Sequence, residues 1–283
     1  MKTALITGVT GQEGIMRVGI LGIGVVGAAV KHGFERIGHR VVFYDPAYES
    51  EFEDILDTQI CFLCVPTPSN KGGSCDVTIV EDSVKRLSIS KYSGPVVIKS
   101  TVEPGTTRRL NEEYPDLDVC FVPEFLRERC AISDFVSNHD VCIIGVDGPR
   151  AEENYELIKN CHGNLPDKFV KLTTTEAEVS KYFNNCYNAT LIIFANSFYT
   201  LCENLDADYS AVKNACVNRK HINDNYLECN DNFRGFGGVC LPKDTRAIAK
   251  LAEKLGLGID FFQAVVEENE KYKVTVYDGM RKE

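Results

Sequence analysis

Residues 235–244 place a cysteine, Cys240, directly after a glycine-rich run and directly before Lys243 and Asp244. A cysteine nucleophile needs backbone that a substrate can approach, a positive charge that favours the thiolate, and a group that moves protons. This segment offers all three. Cys240 could instead be one more buried cysteine among the 12 of the chain, but glycines before it and charges after it are atypical of a core element. We therefore predict covalent chemistry at Cys240.

A glycine motif near the start of the chain predicts a dinucleotide site. An apolar stretch from Met16 leads into Gly22, Gly24 and Gly27, spaced as G-x-G-x-x-G, and an amphipathic segment from Ala28 to Ile37 follows. In this order of strand, glycines and helix, the helix N-terminus faces the pyrophosphate of a dinucleotide. Because both flanking elements are present, the motif is specific.

Asp45 indicates which dinucleotide binds. It ends the next predicted strand, Arg40–Asp45, and stands 18 residues after Gly27. Near this spacing a carboxylate meets the ribose hydroxyls of NAD, and it would repel the 2′-phosphate of NADP. We therefore expect NAD as the cofactor. The alternative for Asp45 is a turn-forming residue before Pro46.

Residues 1–15 carry a second, incomplete glycine motif. A strand-like segment leads to Gly8, Gly11 and Gly14, but the strand from Met16 begins at once and leaves no room for a helix. This opening resembles the first strand and turn of GDP-mannose 4,6-dehydratase. We expect a leader or fusion remnant that packs weakly, and a working domain that begins at Met16.

From there to residue 174 the sequence alternates between strand and helix patterns, which predicts an α/β fold. Apolar, β-branched runs mark further strands at 59–65, 95–100, 118–122, 140–145 and 169–172. We expect a doubly wound, mostly parallel Rossmann sheet over residues 16–174. An all-α domain over residues 175–273 would carry the Cys240 segment, and residues 274–283 would form a tail.

Two predicted strands end in residues that could contact a ligand, since open parallel sheets bind ligands at the carboxyl ends of their strands. Thr101 follows the strand at 95–100, and Glu124, Arg127 and Glu128 follow the strand at 118–122. Thr101 could instead be a capping hydroxyl. The two carboxylates around the arginine could instead form a surface salt-bridge set, although their place at a strand end favours a functional role.

Beyond residue 174 the pattern becomes helical. Thr175 and Glu178 fit a capping box for a helix from Ala177 to about Glu203. Lys181 and Asn185 lie four apart, and therefore on one face, as polar groups on a mostly apolar helix. An ion pair between Lys181 and Glu178 is the alternative for the lysine. Further helices are predicted over residues 209–217, 245–255 and 260–271.

The composition excludes several classes of function. The formal net charge of −10 argues against general binding to nucleic acid or membrane surfaces, and no apolar run approaches the roughly 20 residues that cross a bilayer. The 12 cysteines, without a secretion signal, favour reduced thiols in the cytosol. Cys61 and Cys64 fall in a predicted strand and point to opposite faces, which disfavours a metal or redox pair. We expect no metal, and the apolar helices of the second domain favour a homodimer.

Six motifs, in order, give the span from Met16 to about Lys273 a family resemblance. They are the glycine motif, Cys64–Pro68, Lys99–Thr107, Pro123–Glu128, Glu176–Tyr182 and Gly237–Asp244. In this combination the chain resembles the UDP-glucose/GDP-mannose 6-dehydrogenase family. The resemblance implies a four-electron oxidation of the C6 alcohol of a nucleotide sugar, such as UDP-glucose, to a carboxylate with two NAD in turn. It also implies that Cys240 captures the intermediate aldehyde as a thiohemiacetal, which becomes a thioester.

The resemblance further implies a role for each motif residue. Lys181 and Asn185 would stabilise the oxyanion at C6, and Asp244 would order or deprotonate a water together with Thr101 and Glu128. The implied catalytic residues are Cys240, Lys181, Asn185, Asp244, Thr101 and Glu128. The implied cofactor contacts are Gly22, Gly24, Val25, Val26, Gly27, Asp45, Val65, Pro66, Thr67, Thr101 and Lys243. The implied substrate contacts are Glu124, Phe125, Leu126, Lys181, Asn185, Phe236 and Gly237.

Two departures from the family pattern bear on the substrate site. The family continues into a second nucleotide-binding domain, and this sequence reaches Glu283 before it. His221–Asn223 stand where the family has Arg-Ile-Gly, whose arginine reaches the partner subunit's sugar site, and Arg219 or Lys220 could substitute. Two alternatives therefore stay open: an NAD-binding, dimerising fragment without turnover, and a two-domain 2-hydroxyacid-type dehydrogenase.

Overall fold

The computed structural model describes residues 14–70, 72–238 and 240–272. Of these, residues 14–68 and 76–179 belong to one compact unit, and the remainder belong to a second. The predicted leader lies outside the described residues except for Gly14 and Ile15, and so does the predicted tail. No helix among the described residues is both long enough and apolar enough to span a bilayer.

The first unit is built on a seven-stranded sheet. Its strands are β1 (Arg17–Leu21), β2 (Arg40–Tyr44), β3 (Ile60–Leu63), β4 (Val96–Ile98), β5 (Val119–Phe121), β6 (Cys142–Gly145) and β7 (Phe169–Leu172). They lie in the order β2-β1-β3-β4-β5-β6-β7, and every neighbouring pair is parallel except β5 with β6. The predicted doubly wound, mostly parallel sheet is therefore confirmed.

Helices cover both faces of this sheet. They are α1 (Val25–Arg36), α2 (Glu53–Leu56), α3 (Thr78–Ile89), α4 (Thr106–Glu113), α5 (Ala131–Val136) and α6 (Ala151–His162), with a 3₁₀ turn at Glu128–Cys130. Along β3 the side chains alternate, so that Phe62 packs in a core with Phe34 of α1, whereas Cys61 and Leu63 pack in the other. Cys64 contacts the core opposite to that of Cys61, as the strand pattern predicted.

The strand order places a crevice at the end of β1. The chain runs from β1 through α1 to β2 on one side, and then returns to β3 on the other side of β1. Ligands bind in open α/β sheets at the carboxyl ends of the strands where the direction of winding reverses. The loops after β1 and β3 are therefore the expected ligand-binding loops.

Four helices account for most of the remaining described chain. They are α7 (Thr174–Asn204), α8 (Tyr209–Cys216), α9 (Cys240–Lys254) and α10 (Phe261–Glu270). The helix predicted from Thr245 begins five residues earlier, at Cys240. Pro242 is compatible with this earlier start, because a helix tolerates proline in its first turn, where the N–H groups have no intrahelical partner. Cys240 is therefore the first residue of a helix.

The start of α7 also differs from the prediction. Thr173, one residue before the helix, forms the capping box with Glu176: the Thr173 N–H donates to the Glu176 carboxylate at 2.8 Å, and the Glu176 N–H donates to the Thr173 hydroxyl at 3.3 Å. Asp147 adds a second cap by accepting from the N–H of Thr174 at 3.2 Å. The pair predicted to form this box, Thr175 with Glu178, was wrong because Glu178 binds elsewhere, as described below.

Candidate active site

The turn between β1 and α1 has the geometry of a dinucleotide-binding loop. Gly22 has φ +88°, and a Cβ there would lie 2.7 Å from the carbonyl oxygen of Cys64. A Cβ on Gly27 would lie 2.0 Å from the carbonyl oxygen of Gly22, so only glycine lets α1 approach this closely. At Gly24 a Cβ would have nothing within 4 Å. The three positions therefore suit the tight turn, the helix packing and the approach of a pyrophosphate.

The N-terminus of α1 adds an electrostatic preference for phosphate. Gly24 is its N-cap and provides no side-chain cap, while Val25 is exposed and Val26 half-buried. Backbone N–H groups in the first turn of a helix have no intrahelical partner, and the helix dipole is positive at this end. A phosphate anion fits both features.

Asp45 is fixed beside this loop. Its carboxylate accepts hydrogen bonds from the N–H groups of Ile23 at 2.8 Å and Ala47 at 2.9 Å. The N–H of Gly22 donates to the carbonyl of Tyr44 at 2.9 Å, which ties the end of β2 to the glycine loop. A negative charge held here suits the ribose hydroxyls of NAD and repels the 2′-phosphate of NADP. The residues present therefore fit NAD.

The other cofactor contacts predicted in this unit lie in the loops after β3 and β4. Val65 and Thr67 are half-buried and Pro66 is exposed. The hydroxyl of Ser100 donates to the carbonyl of Val65 at 2.7 Å, and Thr101 is the next residue and half-buried. Because β1, β3 and β4 pair in parallel, these loops follow neighbouring strands at the same edge of the sheet as the glycine loop.

The loop that follows Thr101 is anchored by Glu178 of α7. The fully buried Glu178 carboxylate accepts hydrogen bonds from the Thr107 N–H at 2.8 Å, from the Thr107 hydroxyl at 2.6 Å and from the Gly105 N–H. It thereby caps the N-terminus of α4. Burial raises the pKa of Glu178, and the hydrogen bonds from Thr107 and Gly105 partly offset this rise.

Glu124 lies at the carboxyl end of β5 and is held on both oxygens. One oxygen accepts from the N–H groups of Phe125 at 2.9 Å and Leu126 at 3.2 Å, and the other lies 3.0 Å from Nζ of Lys99. Both charged residues are buried. Burial alone would lower the pKa of Lys99, but the Glu124 carboxylate and nearby thiols more than offset this, so the pKa is raised. Glu124 therefore faces a lysine that stays charged.

The neighbouring carboxylate, Glu128, has a different environment. It is exposed and begins the 3₁₀ turn, while Phe125 and Leu126 are half-buried. Arg127 donates to Asp134 from its backbone N–H at 3.0 Å, from Nε at 2.9 Å and from Nη2 at 2.7 Å. These bonds hold the pKa of Asp134 well below its usual range. The arginine thus has a strong salt-bridge partner in Asp134, which the sequence did not indicate.

In the second unit, α7 presents a buried polar face. Lys181 is 8% exposed and Asn185 is 5% exposed. The Asn185 side-chain amide donates to Oδ2 of Asp244 at 2.6 Å, and Nζ of Lys243 lies 3.2 Å from the other carboxylate oxygen. Asp244 is 1% exposed, so this buried charge is stabilised by an amide and an ammonium. Three of the predicted residues are thus in direct contact.

Cys240 lies one turn before Asp244 on the same helix. Residues four apart share a helix face, so the bond from Asn185 to Asp244 ties α7 to the turn of α9 that carries the thiol. Cys240 is exposed. At the first residue of a helix, the dipole favours an anionic thiolate.

Most other cysteines are in the opposite situation. Apart from Cys240, only Cys216 is exposed. Burial raises the pKa of Cys186 to about 12 and that of Cys229 to about 11, and it also raises the pKa of several thiols in the first unit. A buried, protonated thiol is a poor nucleophile. Exposure and helix position therefore distinguish Cys240 from these buried thiols.

The glycine-rich segment before Cys240 is partly a core element. Phe236 is 4% exposed and packs with Ala189, Ile193 and Val265. Its side chain therefore belongs to the core of the second unit, and its backbone N–H and carbonyl both bind the side chain of Asn269. Gly237 and Gly238 are half-buried, and Gly238 has φ +76°.

Lys99, Asn196 and Asn269 are buried or half-buried polar residues whose roles the sequence patterns did not predict. Lys99 begins the Lys99–Thr107 motif, and its place at the end of an apolar strand was the available signal. The two asparagines contact residues 38 and 33 positions away, so no local pattern reveals them.

Fold and site together define a dinucleotide-binding protein with a thiol-bearing helical region. Residues 47–162 match the NAD binding domain of the UDP-glucose/GDP-mannose dehydrogenase family, and residues 175–271 match the central domain of that family. The chain belongs to this family, in agreement with the resemblance of its motifs.

Relatives support the same assignment. A UDP-glucose 6-dehydrogenase of Haloferax volcanii is 30% identical over 94% of this chain and 72% of its own length. Another, from Bacillus subtilis, is 29% identical over 93% of this chain. The chain spans 65% of the length of that relative.

Solved structures agree at the level of the fold. A UDP-glucose dehydrogenase from Pyrobaculum islandicum superposes with a TM-score of 0.80 at 30% identity, covering 91% of this chain and 68% of that one. A 3-hydroxyisobutyrate dehydrogenase from Mycobacterium tuberculosis superposes with a TM-score of 0.71 at 14% identity, covering 91% and 93%. The second likeness concerns the fold alone.

Proposed function

We propose that this protein oxidises the C6 alcohol of a nucleotide sugar, of the UDP-glucose kind, to the carboxylic acid. The observation that carries the proposal is the exposed Cys240 at the start of α9, one turn from an Asp244 that Asn185 and Lys243 hold in place. Family membership and the 30% identical UDP-glucose 6-dehydrogenase support the same chemistry. The domains would span residues 16–174 and 175–273.

The chain's own residues would carry the carbonyl chemistry. Bound NAD supplies the hydride acceptor for each of the two oxidations. The alcohol loses a hydride and a proton to give an aldehyde. The Cys240 thiolate then adds to the carbonyl carbon, and the carbonyl oxygen takes up a proton, which gives a thiohemiacetal. Loss of a second hydride, with the hydroxyl proton, gives a thioester. Water then cleaves the C–S bond, which releases the acid and restores the thiol.

The remaining roles follow from charge and hydrogen-bonding capacity. Lys181 and Asn185 would donate to the oxygen on C6 as negative charge develops there, a kind of interaction that supplies several kcal/mol in enzymes. Asp244, Thr101 and Glu128 would order or deprotonate the water. Glu124, Phe125, Leu126 and Gly237 would contact the sugar, whereas Phe236 would position Gly237 from the core.

A homodimer formed through α7 is part of the proposal. Its exposed face carries large apolar residues at helical spacing: Phe183, Tyr187, Phe194, Phe198 and Leu201. A continuous apolar stripe of this kind favours association, and a two-fold axis lets the same stripe meet itself.

The experiment that tests this function counts electrons. The purified chain is incubated with NAD and UDP-glucose, and separately with GDP-mannose, and NADH is measured against sugar consumed. Two NADH per sugar is the expected result. One NADH per sugar supports a single-hydride dehydrogenase of the two-domain 2-hydroxyacid type, and no turnover with NAD still bound supports a binding fragment; either would contradict the proposal.

A further inference from the structure

We propose that Asn196 and Asn269 are positioning residues for the proposed reaction: they fix residues 234–236, the segment leading to Cys240, so that the thiol is presented in one place. The inference rests on the proposed function. It concerns contacts within the second unit that the family motifs do not include.

Asn269, on α10, holds the backbone of Phe236 at two points. The Phe236 N–H donates to Oδ1 of Asn269 at 2.7 Å, and Nδ2 of Asn269 donates to the Phe236 carbonyl at 2.9 Å. One side chain thus satisfies both backbone groups of one residue, as a neighbouring β-strand would. Two bonds fix the rotation of this residue, which a single bond would leave adjustable.

Asn196, on α7, holds the two preceding residues. It is fully buried, and its Oδ1 accepts from the Gly235 N–H at 3.0 Å and from Nε of Arg234 at 2.8 Å. Its Nδ2 donates to the Ile192 carbonyl at 2.8 Å, so the amide has one orientation. Arg234 also donates to the Thr200 hydroxyl at 2.6 Å. The segment is therefore fastened to α7 as well as to α10.

Gly235 shows how closely these contacts constrain the chain. Its φ is +68°, and a Cβ there would lie 2.8 Å from Oδ1 of Asn269 and 3.0 Å from Cβ of Tyr272. A side chain at this position would therefore both strain the backbone and displace Asn269. The first glycine of the segment is explained by the asparagine contact.

Asp244, four residues after Cys240, is bound to the same face of α7. Asn185 binds Asp244, and Asn185 and Asn196 are 11 residues apart, close to three turns. Between the two anchored ends lies Cys240. Helix α7 therefore fixes the distance between Gly235 and Asp244, on either side of Cys240. Asn269 fixes the orientation of the Phe236 backbone.

Such anchoring matters for a nucleophile because misplacement by about 1 Å can cost about 100-fold in rate. Phe236 also packs against Ala189, Ile193 and Val265, and we expect these apolar contacts to remain when the asparagine is changed. We therefore expect loss of the Asn269 amide to change the position of the Cys240 thiol while the second unit stays folded.

The test compares Asn269→Ala and Asn269→Asp with Asn204→Ala, an exposed asparagine of α7 whose amide binds only the Thr200 carbonyl among the described contacts. For Asn269→Ala we expect kcat for acid formation to fall about tenfold or more, with KM for NAD changed less than about twofold. For Asn269→Asp we expect activity relative to the native chain to rise as pH falls, because only the neutral acid can donate to the Phe236 carbonyl. Asn204→Ala should match the native chain.

A second readout does not need turnover. Alkylation by iodoacetamide is followed at each cysteine by peptide mass spectrometry, with exposed Cys216 as the internal reference. In both Asn269 variants the rate at Cys240 should change about threefold or more while that at Cys216 stays constant. An unchanged Cys240 rate, or a kcat within about twofold of native, overturns the proposal. If an Asn269 variant fails to fold, Asn196→Asp replaces it. If the native chain turns over no nucleotide sugar, the proposed function fails while alkylation still decides this inference.

Discussion

At the scale of single residues, Cys240 differs from the buried cysteines of the second unit in exposure and in its position on a helix. Cys240 is exposed at a helix N-terminus, whereas burial keeps thiols such as Cys186 protonated. The carboxylate one turn away, Asp244, is buried and contacts the Asn185 amide and the Lys243 ammonium. Removing either partner leaves a buried carboxylate with less compensation.

Asn185→Ala tests the role of the contact between Asn185 and Asp244. The change removes an amide that donates to Asp244 at 2.6 Å and that we propose also stabilises the C6 oxyanion. We expect kcat to fall about 100- to 1000-fold, the usual cost of one such donor, as measured by NADH release. Asn204→Ala on the same helix is the control. If kcat falls equally in Asn185→Ala and Asn204→Ala, Asn185 has no specific role in the reaction.

One buried histidine makes stability depend on pH. His162 is fully buried among Phe34, Phe62 and Phe135, and burial, followed by the charge of Lys99, lowers its pKa well below the ordinary value. Because this pKa is depressed in the folded state, its contribution to stability is present above about pH 6.5 and is lost as pH falls, since only the unfolded chain takes the proton.

Between pH 6.5 and 5 the native free energy of unfolding should fall, with His162 contributing up to about 1.4 kcal/mol per pH unit. His162→Leu should flatten that slope, as measured by urea unfolding at several pH values. The control, His32→Gln, changes an exposed histidine of α1 and should leave the slope as it is. If the free energy of unfolding of His162→Leu falls with pH as steeply as that of the native chain, the account is contradicted.

At the scale of elements, the glycine loop shows which constraints come from the fold and which from a ligand. Gly27 is required by contact with the Gly22 carbonyl, while a Cβ on Gly24 would meet nothing within 4 Å. Protein packing therefore explains Gly27 but not Gly24. The space in front of α1 accounts for Gly24, because a pyrophosphate needs close approach to the backbone there.

Gly24→Ala and Gly27→Ala should therefore differ. Gly24→Ala should leave the melting temperature near that of the native chain and weaken NAD binding about tenfold or more, about 1.4 kcal/mol. Gly27→Ala should lower both the melting temperature and the affinity for NAD. Calorimetric titration and thermal unfolding measure the two effects, with Gly72→Ala, also an open position, as the control. Unchanged NAD affinity in Gly24→Ala would show that no phosphate approaches this turn.

The elements most accessible to sequence reasoning were the strands. Most of their apolar runs end at or near a glycine or proline, and their positions, such as β2 at Arg40–Tyr44, were predicted to within about two residues. Helix α9 begins five residues before the predicted start, and Pro242 lies in its first turn, where proline is tolerated. The capping box of α7 was placed one pair too late because both threonine–glutamate pairs have the required spacing. Only the contact of Glu178 with Thr107, 71 residues away, decides between them.

The site was accessible to a lesser degree. Cys240, Asp244 and Asn185 carry visible signals in residue type and spacing. The contacts of Lys99 with Glu124, Arg127 with Asp134 and Asn269 with Phe236 depend on tertiary packing, and no short-range period encodes them. Phe236 was predicted as a substrate contact, and its burial in the core became visible only in the fold.

At the scale of the whole molecule, the exposed stripe on α7 bears on assembly. Phe194 is 54% exposed and Phe198 is 41% exposed, and their rings contact each other at 4.7 Å between centroids. Two adjacent exposed aromatic rings are costly in water and favourable in an interface. We therefore expect a dimer in solution.

The double change Phe194→Asp/Phe198→Asp should convert the dimer to a monomer in sedimentation velocity, because it places charges in the stripe. Ile89→Asp is the control, since Ile89 is a 72% exposed residue of α3 and lies outside the stripe. A native chain that sediments as a monomer, or a double variant that stays dimeric, would remove α7 as the interface.

The central claim is that the thiol of Cys240 captures an aldehyde, and Cys240→Ala tests it most directly. NADH and uronic acid are measured per nucleotide sugar for the native chain and the variant, together with NAD affinity. The account predicts two NADH and one acid per sugar for the native chain, and no acid from the variant with NAD affinity unchanged. Acid formation by Cys240→Ala at the native rate would contradict it.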